Sequence, residues 1–255
     1  FIGSAVPPII FGVAFGNMLQ GVPFHFDETL RSTYTGSFWA LLNPFALLCG
    51  VVSIVMTVFH GANYLLLRTT GELQARARRV GLIAGGLTAL LFAIGGIWVY
   101  AGITGYVAGN IDPAGVANPL LKTVTTAEGA WFTNFMTYPA LFAIPALAIL
   151  AAILGVLCQY VWKPMAAVLS SSVSIACIVL TPLVAMFPFI LPSSSHPVSS
   201  LTMWDCTSSQ LTLQVMFIVT LIFLPIVLIY TSWAYKVMSG KLTASYIKEN
   251  DKSLY

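Results

Sequence analysis

FPFILPSSSHPVSSLTMWDCTSSQLTL, residues 187–213, joins two long apolar runs in the last third of the sequence. Pro188, Pro192 and Pro197 end the first run as a helix, because proline lacks an amide donor and disfavours helix in the residue before it. The segment therefore predicts a helix end followed by an extended polar connection, and the connection leads into another apolar helix.

The second half of this connection carries the candidate site residues. Thr207 and Gln210 have capping-box spacing, in which hydroxyl and amide side chains satisfy free backbone N–H groups at a helix start. Little water reaches such groups near a membrane, so they need partners from the protein. Asp205 is the only acid between Glu128 and the C-terminal residues. One interpretation is a turn with a capped helix start, which local physics favours; the other is that Trp204 and Asp205 dock onto a partner protein.

Composition places the chain among polytopic membrane proteins. Of its 255 residues 58% are hydrophobic and only 7% are charged, and the mean hydropathy is +0.90. Soluble domains carry about a quarter charged residues. The net charge of +3 reflects membrane topology and does not indicate nucleic-acid binding. The first residue is Phe1, already inside an apolar run, so we expect residues 1–255 to be one transmembrane domain from the C-terminal portion of a longer subunit.

The apolar runs are long enough to cross a membrane as helices. A spanning helix needs roughly 20 apolar residues. Six runs meet or approach this length, at residues 1–19, 38–67, 80–100, 140–160, 165–191 and 211–235. Paired glycines in the third run, Gly85-Gly86 and Gly95-Gly96, predict close helix approach. The predicted fold is therefore all-α, with about six transmembrane helices.

The basic residues predict the orientation of these helices. Nine of the eleven Lys and Arg residues lie between the second and third runs, between the fourth and fifth runs, or after the sixth. Only Arg31 and Lys122 lie on the other side. Because basic residues favour the cytoplasmic side, both ends of this sequence and a solvated tail at 236–255 are expected in the cytoplasm.

The sequence contains few residues that suggest chemistry within the membrane. The four cysteines form no CxxC or Cys/His cluster, and no acid lies inside an apolar run. His60 is the one ionisable residue at membrane depth; a haem or quinone contact is one interpretation, but a hydrogen bond to a neighbour is favoured because no second ligand stands at helical spacing. His25 and His196 are expected to be solvated in outward loops. Asn17 and Asn63 are expected to form interhelical hydrogen bonds.

The six tryptophans are expected to form an aromatic belt at the membrane interfaces. They are Trp39, Trp98, Trp131, Trp162, Trp204 and Trp233. No phosphate loop, nucleophile elbow or zinc motif is present. The sequence therefore predicts no catalytic residue and no metal ligand, and it leaves a cofactor-binding residue unassigned.

An ordered series of short segments resembles subunit II of cytochrome bd-type quinol oxidases. The segments are GSAVPP (3–8), GVAFGN (12–17), LQGVPF (19–24), LNPF (42–45), GAW (129–131), MFPF (186–189), PSS (192–194), LTMWD (201–205), TSSQLTL (207–213) and SLY (253–255). They follow the family's order from one end of the sequence to the other. No single segment is a chemical signature, but the ordered set is specific.

The resemblance implies a respiratory enzyme of the bacterial inner membrane that oxidises quinol and reduces O2 to water. In that family, haem b and haem d belong to subunit I, and subunit II is a haem-free partner with two four-helix bundles and a peripheral helix. Subunit II supports assembly and proton uptake, and some members hold a structural quinone. Small accessory subunits and membrane lipid are further expected partners. The family's polar residues on the proton route belong to N-terminal helices that this chain is expected to lack.

Two other function classes remain open at this point. A secondary transporter is compatible with proline-interrupted helices, since broken helices often border transport sites. The lack of membrane-embedded charge disfavours it. A purely structural membrane subunit differs from the oxidase subunit only in having no share in proton uptake.

Overall fold

The computed structural model describes residues 2–113, 115–237, 239–241 and 243. The α-helices are α1 (Ile2–Gln20), α2 (Pro44–Arg68), α3 (Gly71–Gly102), α4 (Thr133–Thr137), α5 (Ala143–Tyr160), α6 (Pro164–Met186) and α7 (Gln210–Val237). Within the described residues, six helices are long and apolar enough to cross a membrane, all except α4. The predicted all-α polytopic fold is confirmed.

Some sequence predictions fall outside the described residues. These are Phe1, the basic residues Lys248 and Lys252, the SLY segment at 253–255, and most of the proposed tail at 236–255.

Four of the long helices form an antiparallel bundle. Helix α2 packs against α3 and α6, and α5 packs against the same two helices, which closes the ring. Phe59 fills the centre: it is fully buried, and its ring lies against the backbone of Gly85 on α3 and Gly155 on α5. Gly85 thus allows the predicted close approach, whereas Gly86, Gly95 and Gly96 face open space.

The two remaining long helices lie outside this bundle. Helix α1 packs along α2. Helix α7 has no buried residue. The chain therefore contains one complete four-helix bundle, and the second bundle implied by the family resemblance stays a prediction.

Glycines allow α1 and α2 to approach at backbone distance. A Cβ atom added at Gly12 would lie 2.3 Å from the carbonyl oxygen of Cys49, and one at Gly16 would lie 2.7 Å from the Cα of Ala46. Side chains of ordinary size would hold the helices apart, so small residues determine this contact.

We expect Gly12→Ala to destabilise the protein by about 1–3 kcal/mol, because the new methyl group collides with backbone that cannot rotate away. Gly61→Ala is the matched control, since Gly61 also lies in a helix but has open space around its Cβ position. The temperature at which the detergent-solubilised protein unfolds should fall for Gly12→Ala only. Equal effects of the two substitutions would contradict the close α1–α2 contact.

Within the described residues, three two-stranded antiparallel sheets lie in the connections between helices, and the sequence pattern predicts none of them. Strands β1 (Phe24–Phe26) and β2 (Ser32–Tyr34) follow α1, β3 (Thr104–Gly109) and β4 (Thr123–Glu128) follow α3, and β5 (Phe189–Leu191) and β6 (Leu201–Thr202) follow α6. Residues in these connections also contact one another, as in the bridge between Val22 and Ser193. The three connections therefore form one layer at one end of the helices, the hairpin layer.

Two helix boundaries differ from the prediction. The run at 165–191 was expected to be helical throughout, but α6 ends at Met186 and residues 189–191 form β5. Helix α3 begins at Gly71, nine residues before the predicted span at 80–100, so its arginines lie on helix. A hydropathy pattern identifies the apolar part of a helix and does not show where its polar ends lie.

Candidate functional site

Asp205, the acid of the candidate docking pair, is bound within the chain. Its Oδ2 lies 2.6 Å from Nζ of Lys122, which precedes β4, and Nζ also donates to the carbonyl of Pro119 at 2.8 Å. The two side chains are only 9% and 5% exposed. A buried ion pair with additional hydrogen bonds holds its neighbours in one arrangement, and loss of either partner leaves an uncompensated charge.

The same carboxylate organises the turn before α7. The backbone N–H of Thr202 donates to Oδ1 at 2.7 Å, and the Thr202 hydroxyl donates to Oδ2 at 2.7 Å. Asp205 therefore joins strand β6 and the turn that follows it to the segment just before β4. The turn interpretation accounts for all of these contacts, whereas docking of Asp205 onto a partner stays a prediction.

Trp204 lies at the edge of an open cleft beside this ion pair. Its ring meets Phe187 in a T-shaped contact with centroids 5.9 Å apart. The cleft has a volume of about 320 Å³, and Asn110, Lys122, Trp204 and Asp205 contribute to its wall. The side chain is half-buried, so part of the indole remains accessible.

The predicted capping box is shifted in register. Helix α7 begins at Gln210, and the Ser209 hydroxyl accepts the backbone N–H of Thr212 at 3.4 Å. The capping hydrogen bond is thus made by Ser209, two residues after Thr207, and Gln210 is the first residue of the helix and not its third. Both Thr207 and Gln210 are exposed.

Cys206 follows Asp205 on the exposed side of the turn. Partial burial raises the pKa of the Cys206 thiol, and the negative charge of Asp205 raises it further, against a smaller lowering by Lys122. Because the thiolate is the nucleophile, Cys206 should react slowly near neutral pH.

We expect alkylation of Cys206 by iodoacetamide to speed up at a higher pH than alkylation of a free cysteine peptide. Peptide mass spectrometry after timed labelling measures this at several pH values. Labelling of Cys206 as fast as the free peptide at neutral pH would contradict the raised pKa.

Trp131 is a correction to the expected aromatic belt. It is 1% exposed, and its Nε1 donates to the carbonyl of Leu19 at 3.0 Å, near the C-terminal end of α1. The Tyr106 hydroxyl donates to the next carbonyl, Gln20, at 3.4 Å. Helix ends leave their last carbonyls without intrahelical donors, so these two side chains take the place of the missing N–H groups.

The hydrophobic core of the hairpin layer surrounds Trp131. Its buried members come from α1, α2, the residue after α3, the β3–β4 hairpin, the 3-10 turn before α4, α4, α6 and β5: Leu19, Phe45, Ile103, Tyr106, Val124, Trp131, Phe135, Ala185, Met186 and Phe189. Four of the family segments contribute to this one core, those at 19–24, 42–45, 129–131 and 186–189. Their common role is to join the ends of the helices.

A second set of contacts joins α1 to the start of α2. Asn17 Nδ2 donates to the carbonyls of Val13 and Leu41, both at 2.8 Å, and Asn43 Nδ2 donates to Asn17 Oδ1 at 3.1 Å. Asn43 also caps α2, accepting the N–H of Ala46 at 2.9 Å. The predicted interhelical role of Asn17 is confirmed.

Inside the four-helix bundle, polar side chains hydrogen-bond to one another. Asn63 and Gln159 are fully buried, and the Gln159 amide donates to Asn63 Oδ1. His60, one turn before Asn63, is half-buried, and its Nδ1 lies 2.9 Å from the Ser171 hydroxyl on α6. The predicted hydrogen bonds of Asn63 and His60 to neighbours are both present.

His196 is exposed, as predicted, and its ring contacts that of His25. His25 differs from the prediction, because it is half-buried and its Nδ1 is fully enclosed. Across the described parts of the chain, no three His, Cys, Asp or Glu residues come together as a metal site.

The chain is similar to known proteins over its full length. Residues 1–238 match the family model described as cytochrome bd terminal oxidase subunit II. The cytochrome bd-I ubiquinol oxidase subunit 2 of Escherichia coli K12 is 51% identical over 256 residues, covering 100% of this chain and 68% of the relative. A probable cytochrome oxidase subunit 2 of Haemophilus influenzae is 48% identical with the same coverage, and the cytochrome bd ubiquinol oxidase subunit 2 of Bacillus subtilis is 25% identical over 95% of this chain and 62% of the relative.

Proposed function

The chain belongs to the cytochrome bd terminal oxidase subunit II family, and from that premise we propose that it is the haem-free subunit of a quinol:oxygen oxidoreductase. It is part of an oxidoreductase complex of the respiratory chain, as the names of its relatives indicate. In this proposal a partner subunit I carries haem b and haem d, oxidises quinol and reduces O2 to water. This chain supports that subunit and the uptake of protons.

The hairpin layer is the observation that carries the proposal of a supporting role. The family segments quoted from the sequence converge on hydrogen bonds and apolar contacts that hold helix ends together, as at Trp131 and Asn17. The contacts of Trp131 and Asn17 lie inside the protein, where they hold backbone carbonyls at the helix ends. Residues with such roles fix the shape of this subunit. A fixed shape is what the subunit needs in order to bind and support another polypeptide.

The interior of the bundle supports the assignment of the haems to the partner. The centre of the bundle is filled by the fully buried Phe59, which packs against Gly85 and Gly155, and the Nδ1 of the half-buried His60 lies against the Ser171 hydroxyl. A haem held by His60 would therefore have to lie outside this bundle.

The six apolar helices and the family indicate a multi-pass protein of the inner membrane. We extend the proposal to orientation: the end of the bundle that bears Arg76, Arg78 and Arg79 faces the cytoplasm, and the hairpin layer faces the outside. Cysteine-accessibility labelling from each side of intact cells tests this extension.

The proposed function is tested by expressing subunit I with and without this chain in a strain that lacks its own terminal oxidases. With both chains, membranes should show haem d absorbance and quinol oxidase activity. Without this chain, both should be lost or strongly reduced. Full haem content and activity of subunit I alone would overturn the supporting role, and oxidase activity of this chain alone would overturn its non-catalytic character.

His60→Gln should leave the haem spectrum of the assembled complex unchanged, because glutamine can keep the hydrogen bond to Ser171 and no haem is expected at this position. Visible absorbance of the reduced complex is the measurement. Loss of any haem band in a variant that assembles normally would show that His60 is a ligand.

A secondary transporter, the alternative left open by the sequence, is not favoured, because the family match covers residues 1–238.

A further inference from the structure

Two histidines from distant parts of the chain meet in the hairpin layer. His25 lies in β1, after α1, and His196 lies between β5 and β6, after α6. Their ring centroids are 5.0 Å apart with an interplanar angle of 45°. Neither residue has a role in the proposed function.

The backbone around both histidines is held by hydrogen bonds between the same two segments. The Ser195 hydroxyl donates to the carbonyl of Phe24 at 2.9 Å, and the N–H of Phe26 donates to the Ser199 hydroxyl at 3.2 Å. These contacts flank His25 on both sides and bracket His196. These hydrogen bonds hold the two segments that carry the rings next to each other.

One ring nitrogen of this pair lacks a partner. His25 Nδ1 is enclosed by protein and has no hydrogen-bond partner among the described residues. Buried polar atoms are normally satisfied, and an exception calls for an explanation such as a bound ion. His196 is exposed, so an ion from the aqueous side can reach the pair.

We propose that His25 and His196 together bind a divalent transition-metal ion, of the class Zn²⁺, Cu²⁺ or Ni²⁺, on the face of the protein formed by the hairpin layer. Imidazole is the side chain that these ions prefer among nitrogen ligands. An imidazole nitrogen binds zinc at about 2.0–2.1 Å, which places two ring centroids roughly 5 Å apart at a near-tetrahedral angle. The observed separation of 5.0 Å fits that arrangement.

An acidic residue, Asp27, lies two residues after His25, just beyond β1. With two imidazoles and water as ligands, the metal would bridge the connection after α1 and the connection after α6, and it would exchange with the external solution.

The test uses the assembled oxidase in detergent, washed with chelator and titrated with CuSO4 in a non-coordinating buffer at about pH 7.5, where imidazole is largely neutral. Electron paramagnetic resonance of the bound Cu²⁺ counts its nitrogen ligands. The wild type should bind one Cu²⁺ with the splitting of two equatorial nitrogens, and ZnSO4 should compete for the site. His25→Asn and His196→Asn should each weaken binding by about tenfold or more and remove the two-nitrogen pattern.

His60→Gln serves as the matched control, since it removes a histidine far from the pair and should leave the copper signal unchanged. The haem spectrum of each variant shows whether the complex has assembled. Wild-type affinity and an unchanged copper spectrum in assembled His25→Asn or His196→Asn would overturn the site, and so would a wild type that binds no Cu²⁺ in this range. Both results leave the proposed oxidase function unaffected.

Discussion

Asp205→Ala is expected to lower the stability of the hairpin layer by about 3–5 kcal/mol, because it leaves the ammonium of Lys122 buried without its counter-charge. The substitution also removes the acceptor of both hydrogen bonds from Thr202. The yield of assembled, haem-loaded oxidase and the temperature at which it unfolds should both fall.

A double-mutant cycle separates the ion pair from general damage. Lys122→Met alone should be destabilising because it leaves a buried carboxylate, while Lys122→Met combined with Asp205→Ala should recover part of the loss. Glu28→Ala is the control, since Glu28 is an exposed acid in the same layer and its loss should cost no more than about 0.5 kcal/mol. Normal yield and stability of Asp205→Ala, or strictly additive effects of the two substitutions, would contradict the buried pair.

Trp131→Ala is the second substitution with a large expected effect, about 3–5 kcal/mol of destabilisation, because it leaves a cavity in the core of the hairpin layer and removes the donor to Leu19. Trp131→Phe keeps much of the ring but not the N–H. It should cost about 1–3 kcal/mol, the cost of an unsatisfied buried carbonyl.

The unfolding temperature of the purified complex measures both variants. Trp39→Ala is the control. Trp39 is 77% exposed, so its substitution removes an indole without leaving a cavity in a core. If Trp131→Ala were no worse than Trp39→Ala, Trp131 would be an interfacial residue as the sequence predicted, and not part of a core.

The membrane helices could be predicted from the sequence because burial in lipid leaves a local signal of about 20 apolar residues. The ends of the helices could not. Residues 189–191 are as apolar as a helix, yet they pair with Leu201 and Thr202 as a strand. Helix α3 begins nine residues before its apolar run, in a charged segment with Glu72 and Arg76 that a hydropathy pattern does not mark.

The candidate site shows the same limit. Asp205 stands out in the sequence as an isolated acid in a polar turn, but its partner Lys122 lies 83 residues away and no local pattern indicates it. The sequence predicts an interfacial position for Trp131, because the carbonyl that accepts its hydrogen bond belongs to Leu19, 112 residues away, and no local pattern shows this contact. The sequence does contain one indication of these roles. Asp205 lies in the family segment 201–205 and Trp131 in the family segment 129–131, and no local property explains why either segment matches the family.

A cryo-EM map of the assembled oxidase that contains this chain tests the haem-free assignment most directly, because it shows the ligands of every haem iron. We expect the protein ligands of every haem iron to belong to the partner subunit and no side chain of residues 1–255 to bond to iron. An iron coordinated by His60, or by any other side chain of this chain, would contradict it.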